Sequence, residues 1–232
     1  MSMSHLVRLP LNPQALLRFA VSHGVTQGDE GFGYSLHLLL TTLFGEHAPK
    51  PFRFFERKGE VLGYSVVSHE QLLEHAQAFA PPEAWAALQA DGVVSKPMPG
   101  RWTVGQRLQV EVLACPVERR GAEEKDAFLR ALDRADDVAP KRGEVYQDWF
   151  LRRWEGALDF ELIELRGMRA RQSMQRRIHD GTKRLATIER PSVLFVAQAS
   201  ISDPQRFSEL LMRGIGRHRT FGFGMALVSP PA

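Results

Sequence analysis

"PFRFFERKGEVLGYSVVSHEQLLEHAQAF", residues 51–79, decides the fold. Its first half holds two short runs, 51–58 and 61–68, rich in Phe, Val and Tyr and separated by Gly59-Glu60. That pattern predicts a β-hairpin. Its second half opens on Ser68, carries Glu70 in the first turn and spaces its apolar residues helically, which predicts a helix over 68–79. Upstream, "HLVRLPLN" (5–12) alternates as a half-buried strand and stops at Asn12-Pro13. "YSLHLLLTTLF" (34–44) then reads as a helix ending at Gly45, and "GVVSKPM" (92–98) as a closing strand. The order is β-α-β-β-α-β, the split-βαβ or ferredoxin-like arrangement.

Beyond the Pro/Gly punctuation "PMPGRWTVG" (97–105) the same kinds of element resume. "RLQVEVLAC" (107–115) alternates as a strand, and 123–135 and 144–157 have helical spacing. Strands are expected over 160–170 and 192–202. A helix follows over 203–215, with Asp203 as N-cap and Pro204 at its first position, and a last strand over 223–229. The fold class is therefore α+β, two tandem ferredoxin-like (βαββαβ) domains. Residues 1–98 form the N-terminal domain and 99–232 the C-terminal one, which carries one extra helix. Trp149, Phe150 and Trp154 recur at helical spacing and are expected in the core.

A chain of 232 residues has room for two such domains, and its 44% apolar content supplies their cores. The single cysteine, Cys115, makes no intrachain disulfide and suits a reducing, cytoplasmic setting. The N-terminal "MSMSHLVRLPLN" lacks the apolar core of a signal peptide, and no apolar run approaches a membrane span. The net charge of +3 is mild but unevenly spread. Between residues 166 and 190, Arg166, Arg169, Arg171, Arg176, Arg177, Lys183, Arg184 and Arg190 face only Asp180 and Glu189, a local excess of +6. Such a stretch is an electrostatic footprint for polyanions, although a solvated Arg-rich strand pair would read the same.

"LLMRGIGRHRTFGFGMALVSP" (210–230) gathers Gly214, Gly216, Gly222 and Gly224 with Arg213, Arg217, His218 and Arg219. It follows a helix and precedes a strand, and position 219 is Arg, so it is not a dinucleotide fingerprint. Glycines let backbone approach a bulky ligand, and successive N–H groups can cradle phosphate oxygens. On the first helix, Tyr34, His37 and Thr41 fall within about 60° of one another, opposite Leu36, Leu39, Leu40 and Leu43. A lone histidine is commonly structural. A Tyr/His pair on the open side of a helix can instead move protons near pH 7.

Three of these stretches carry a resemblance. "YSLH" (34–37), after the first strand, resembles the Tyr-x-x-His of the CRISPR-associated repeat endoribonucleases of the CasE kind, in the repeat-associated RNA-binding superfamily. "VGQRLQVEVLACPVER" (104–119) resembles the strand that opens that family's second half, and "RGIGRHRTFGFGMALVSP" (213–230) its closing glycine-rich loop. The subtype is type I-E-like, with a type IV relative also open. The chain departs from the family in its Arg-rich 166–190 stretch and in an insert over 13–33, which could supply RNA contacts.

The resemblance implies a metal-independent endoribonuclease that cuts CRISPR precursor RNA at the 3′ base of the repeat hairpin. The upstream ribose 2′-OH attacks the phosphate, giving a 2′,3′-cyclic phosphate and a 5′-OH. No metal or other cofactor is implied. His37 would be the general acid/base and Tyr34 would position or activate the 2′-OH. The glycine-rich loop and the basic stretch would hold the RNA. The cation that stabilises the transition state is unassigned, with Arg18 and Arg217 as candidates. Partners would be the repeat stem-loop, the mature CRISPR RNA and other subunits of an effector complex. Two further readings stand beside this one. One is a non-cleaving RNA-binding subunit of the same superfamily, against which Tyr34 and His37 argue. The other is an unrelated ferredoxin-like module for a small anion or a protein.

Overall fold

Asn12 is the first residue that organises the N-terminal part of the chain. In the computed structural model, which describes residues 4–25, 28–135, 138–177 and 185–231, its side chain accepts hydrogen bonds from the N–H groups of Gln14 and Ala15. It thereby ends strand β1 (His5–Pro10) and caps helix α1 (Pro13–Ser22), with Pro13 at the first helical position. The chain forms two compact units. The first comprises Met1–Gly100, Ser173–Glu189 and Thr220–Gly222 as far as these are described, and the second the remainder.

In the first unit, α2 (Asp29–Phe44) leads to the hairpin β2 (Phe52–Phe55) and β3 (Glu60–Ser65). Gly59 makes its turn in the left-handed conformation, at φ 62°. Helix α3 (His69–Phe79) starts at Ser68 with a complete capping box, Gln71 reaching back to the Ser68 N–H. A short α4 (Pro82–Trp85) precedes β4 (Val94–Pro97). The sheet order is β2-β3-β1-β4, with β1 paired antiparallel to both β3 and β4. This is the ferredoxin-like order. Val7, Leu9 and Val61 of the sheet bury against Leu36, Leu39, Leu40 and Leu43 of α2, all at 1% exposure or less. Each such side chain contributes about 2 kcal/mol of burial.

The second unit repeats the plan. Strand β5 (Arg107–Ala114) is followed by a two-stranded ribbon, β6 (Val117–Arg120) and β7 (Glu123–Asp126), then α5 (Ala127–Leu132) and α6 (Arg142–Trp154). Strand β8 (Leu158–Arg177) as far as Gln172, β9 (Leu185–Ile201) from Arg190, helix α7 (Pro204–Arg213) and β10 (Ala226–Ser229) complete it. The sheet order is β10-β5-β9-β8, again the ferredoxin-like order. Trp149, Phe150 and Trp154 are core residues as expected; Phe150 stacks on Phe195 with ring centroids 4.4 Å apart.

The insert over 13–33 holds α1 and the first turn of α2, with Leu16 and Phe19 buried, so it adds core. Three local expectations change. Helix α2 begins five residues before Tyr34, because the apolar pattern over 34–44 marks its buried face and not its start. Residues 123–126 form a strand and not helix, since β7 pairs residue for residue with β6. Asp126 then accepts from the Phe128 N–H and starts the helix there. The Arg-rich segment is flanked by strands that run on to Arg177 and from Leu185, well past the expected limits. The rest of that segment, including Lys183 and Arg184, lies outside the described residues.

Candidate functional site

Helix α2 turns its leucines inward and leaves Tyr34 and His37 half-buried on its other side. The Thr41 hydroxyl, one turn on, donates 2.8 Å to the His37 carbonyl. Burial holds the His37 imidazole below its ordinary value, and the nearby positive charge of Lys50 lowers it further. At neutral pH the ring is therefore uncharged, with one nitrogen free to accept a proton. Lys50 stands exposed just before β2, and its backbone N–H donates to the Tyr64 carbonyl at 2.8 Å. The loop that carries it is thus tied to β3. Sequence reading missed Lys50, because a lysine before a proline in a loop carries no signal of its own.

The glycine-rich stretch reaches this helix. A Cβ on Gly33 would stand 3.0 Å from the Phe221 carbonyl oxygen, and one on Gly222 would stand 3.6 Å from the Phe52 ring. Gly33 therefore admits the 220–222 backbone to α2 one residue before Tyr34.

The remainder of the loop is built, not floppy. Gly214, Gly216, Gly222 and Gly224 all have φ between 75° and 86°. At Gly224 any side chain would meet the Ile215 carbonyl at 2.2 Å. The Ile215 N–H donates to the Gly224 carbonyl at 2.8 Å, and the Gly224 N–H to Leu113 of β5 at 2.7 Å. Between these glycines Arg217 and His218 turn to one buried carboxylate, Glu124 of β7. His218 Nε2 lies 2.8 Å from it, Arg190 Nε 2.7 Å, and Arg217 also donates to it. Burial alone would raise the Glu124 carboxyl; the bonds from His218, Arg190 and Arg217 outweigh it and hold the group well below the usual carboxylate range. His218 itself adopts a left-handed backbone, φ 60°, which this clamp stabilises. Glu124 was read as part of a helix, and nothing in the sequence links it to residues more than 90 positions away.

The other expected site residues are spread out. Arg219 donates to the Arg213 carbonyl at 2.5 Å, closing the turn that follows α7. Arg18 lies on the exposed side of α1. Arg166, Arg169 and Arg171 are exposed along β8, Arg166 paired with Glu164. Lys183 and Arg184 are not described, nor are the side chains of Arg176 and Arg177. Among the described residues no group of three or more His, Cys, Asp or Glu side chains is placed to hold a metal ion, and no helix is long and apolar enough to cross a membrane.

A family model described as CRISPR associated protein matches residues 4–230. The chain belongs to that family. No curated protein sequence matches it. Among solved structures it is similar to a CRISPR endoribonuclease Cse3 bound to a 19-nucleotide RNA, at 21% identity over 98% of this chain and all of the other, with a TM-score of 0.65. It is also similar to Thermus thermophilus Cse3 bound to an RNA representing a pre-cleavage complex, at 19% identity over 98% of this chain and all of the other, TM-score 0.62. A third likeness, at 19% identity over 99% of this chain and all of the other, is to a chain of a CRISPR RNA-guided surveillance complex in a pre-nicking state, TM-score 0.55. These members of the structural group share the two-domain fold described above.

Proposed function

We propose that the chain is a CRISPR repeat endoribonuclease that cuts precursor RNA at the 3′ base of the repeat hairpin without a metal ion. The observation that carries this reading is α2. Tyr34 and His37 lie one turn apart on its open side, the Lys50 charge acts on His37, and Gly33, next to Tyr34, meets residues 220–222 of the glycine-rich loop. In the proposed reaction the 2′-oxygen attacks the adjacent phosphorus in line and the P–O5′ bond breaks. Tyr34 orients the 2′-OH. His37 takes its proton and returns one to the departing 5′-oxygen, leaving a 2′,3′-cyclic phosphate and a 5′-OH. Lys50 supplies the positive charge that the phosphorane requires, a role for which Arg217 is less suited because Glu124 already neutralises it.

The domain over 1–98 carries the chemistry, and the domain over 99–232 most of the grip on RNA. The exposed arginines of β8 suit the phosphates of an A-form stem, whose major groove is too narrow for side chains to read. The relatives bound to RNA, and the one in a surveillance complex, favour a protein that keeps its mature CRISPR RNA and acts within an effector complex in the cytoplasm. A repeat RNA with a single 2′-deoxy substitution at the scissile nucleotide tests the reading. It should bind as the all-ribose RNA does and remain uncut in EDTA. Cleavage of the deoxy substrate would exclude attack by the 2′-oxygen.

A further inference from the structure

Seven arginines of the second unit pair with carboxylates carried by other parts of that unit. Arg107 pairs with Glu161, Arg130 with Glu123, Arg134 and Arg152 with Glu118, Arg142 with Asp126, and Arg190 and Arg217 with Glu124. Arg153, Arg206 and Arg213 are different. Among the described residues none of the three has a carboxylate within ion-pair distance, and all three, together with Arg152, line one cleft of about 540 Å³. Its walls are the last turn of α6 and the outer face of α7.

The cleft is positive and structured. Arg153 lies over the Trp149 ring, 5.0 Å from its centroid. Burial and the neighbouring Arg152 charge lower the Arg153 guanidinium from its ordinary value, and the Glu118 carboxylate only partly offsets them. Arg206 and Arg213 are seven residues apart on α7, hence on one face and about 10 Å apart along the axis. The two acids in the cleft are engaged otherwise. Asp203 caps α7 through the Arg206 N–H, and Glu209 accepts from Gln205 at 3.1 Å.

We infer that this cleft is a second RNA site, which takes the phosphates of a single-stranded nucleotide flanking the repeat hairpin. The inference rests on the proposed function. Its volume is that of a small-ligand pocket and far below what a duplex needs. Continuity with the glycine-rich loop selects RNA over an acidic protein segment. Arg213 lines the cleft with its side chain, while its carbonyl is fixed by Arg219 inside the loop, so a strand leaving the loop meets the cleft next. Guanidinium forks suit phosphate oxygens, and the Glu209 oxygen that Gln205 does not bond offers an acceptor to a base amino group.

The test compares wild type with an Arg153→Gln/Arg206→Gln double variant, using the host repeat RNA with its single-stranded flanks and the same hairpin without them. Binding is measured across a salt series. The double variant should bind the flanked RNA about tenfold or more weakly, with the slope of log affinity against log salt reduced by about 1.4, roughly 0.7 for each phosphate left without its arginine. On the bare hairpin the two proteins should bind alike. Arg153→Lys/Arg206→Lys should restore the slope. If the double variant does not fold, each single variant should give half the change in slope. Wild-type affinity and slope in the double variant would overturn the cleft alone and point to an acidic protein partner. Failure of wild type to bind either RNA would overturn the proposed function and the cleft with it.

Discussion

Glu124→Gln is the substitution that most sharply tests how the glycine-rich loop is held. The carboxylate is 7% exposed, and its partners Arg190, His218 and Arg217 are 19%, 6% and 44% exposed. Removing one side of a buried ion pair costs about 3–5 kcal/mol, because the stranded charge finds no water. The more exposed Arg217 contributes little, and glutamine keeps the volume and one acceptor oxygen, so the cost should sit near about 3 kcal/mol. For a chain of this size that is a fall of roughly 6–12 °C in the melting midpoint. The sign with pH follows from the depressed Glu124 carboxyl. Its contribution is complete above the unfolded carboxylate value of about 4.3 and is lost as pH falls toward the lower folded value. Thermal melts of wild type and variant should therefore differ most near neutrality and converge in acid below about pH 4. The variant should also bind repeat RNA more weakly while retaining its cleavage rate at saturation. Equal midpoints at pH 7, or a gap that widens in acid, would refute the clamp.

Lys50→Gln should act on the chemistry. With the cation gone, His37 rises toward its ordinary value though burial still holds it down, so the acid limb of kcat/KM against pH should move to higher pH. The plateau of kcat should fall by about ten- to a hundredfold; an unmoved limb would separate Lys50 from His37. Gly224→Ala places a methyl 2.2 Å from the Ile215 carbonyl at φ 78°, which forces the loop open at a cost of several kcal/mol. Its expected outcome is weakened RNA binding and a lowered melting midpoint, and retention of both at wild-type values would contradict the close approach.

Much of the fold was legible because it is written locally. The hairpin around Gly59, the capping box at Ser68 and the Asp203-Pro204 start of α7 each depend on residues within one turn of each other, and all three stand where the sequence placed them. The two ferredoxin-like halves follow from that order. His37 was legible as an outward-facing residue because the four leucines fix the rotation of α2. The start of α2 was not, since Asp29 and Glu30 carry no apolar period. Strand β7 was missed because "EEKDAFLRALDRA" has helical spacing throughout, and only pairing with β6 decides otherwise. Long-range chemistry left no trace in sequence. Glu124 meets Arg217 and His218 across 93 and 94 positions, and Lys50 approaches His37 from another element.

The central claim is that His37 moves the proton in a metal-independent cleavage of repeat RNA. The most direct measurement is single-turnover cleavage of the host repeat in EDTA by wild type and His37→Ala, with the product ends identified and binding measured separately. Wild type should leave cyclic-phosphate ends, and the variant should bind normally but cleave about 10²- to 10⁴-fold more slowly. A variant that cleaves at the wild-type rate would contradict the account.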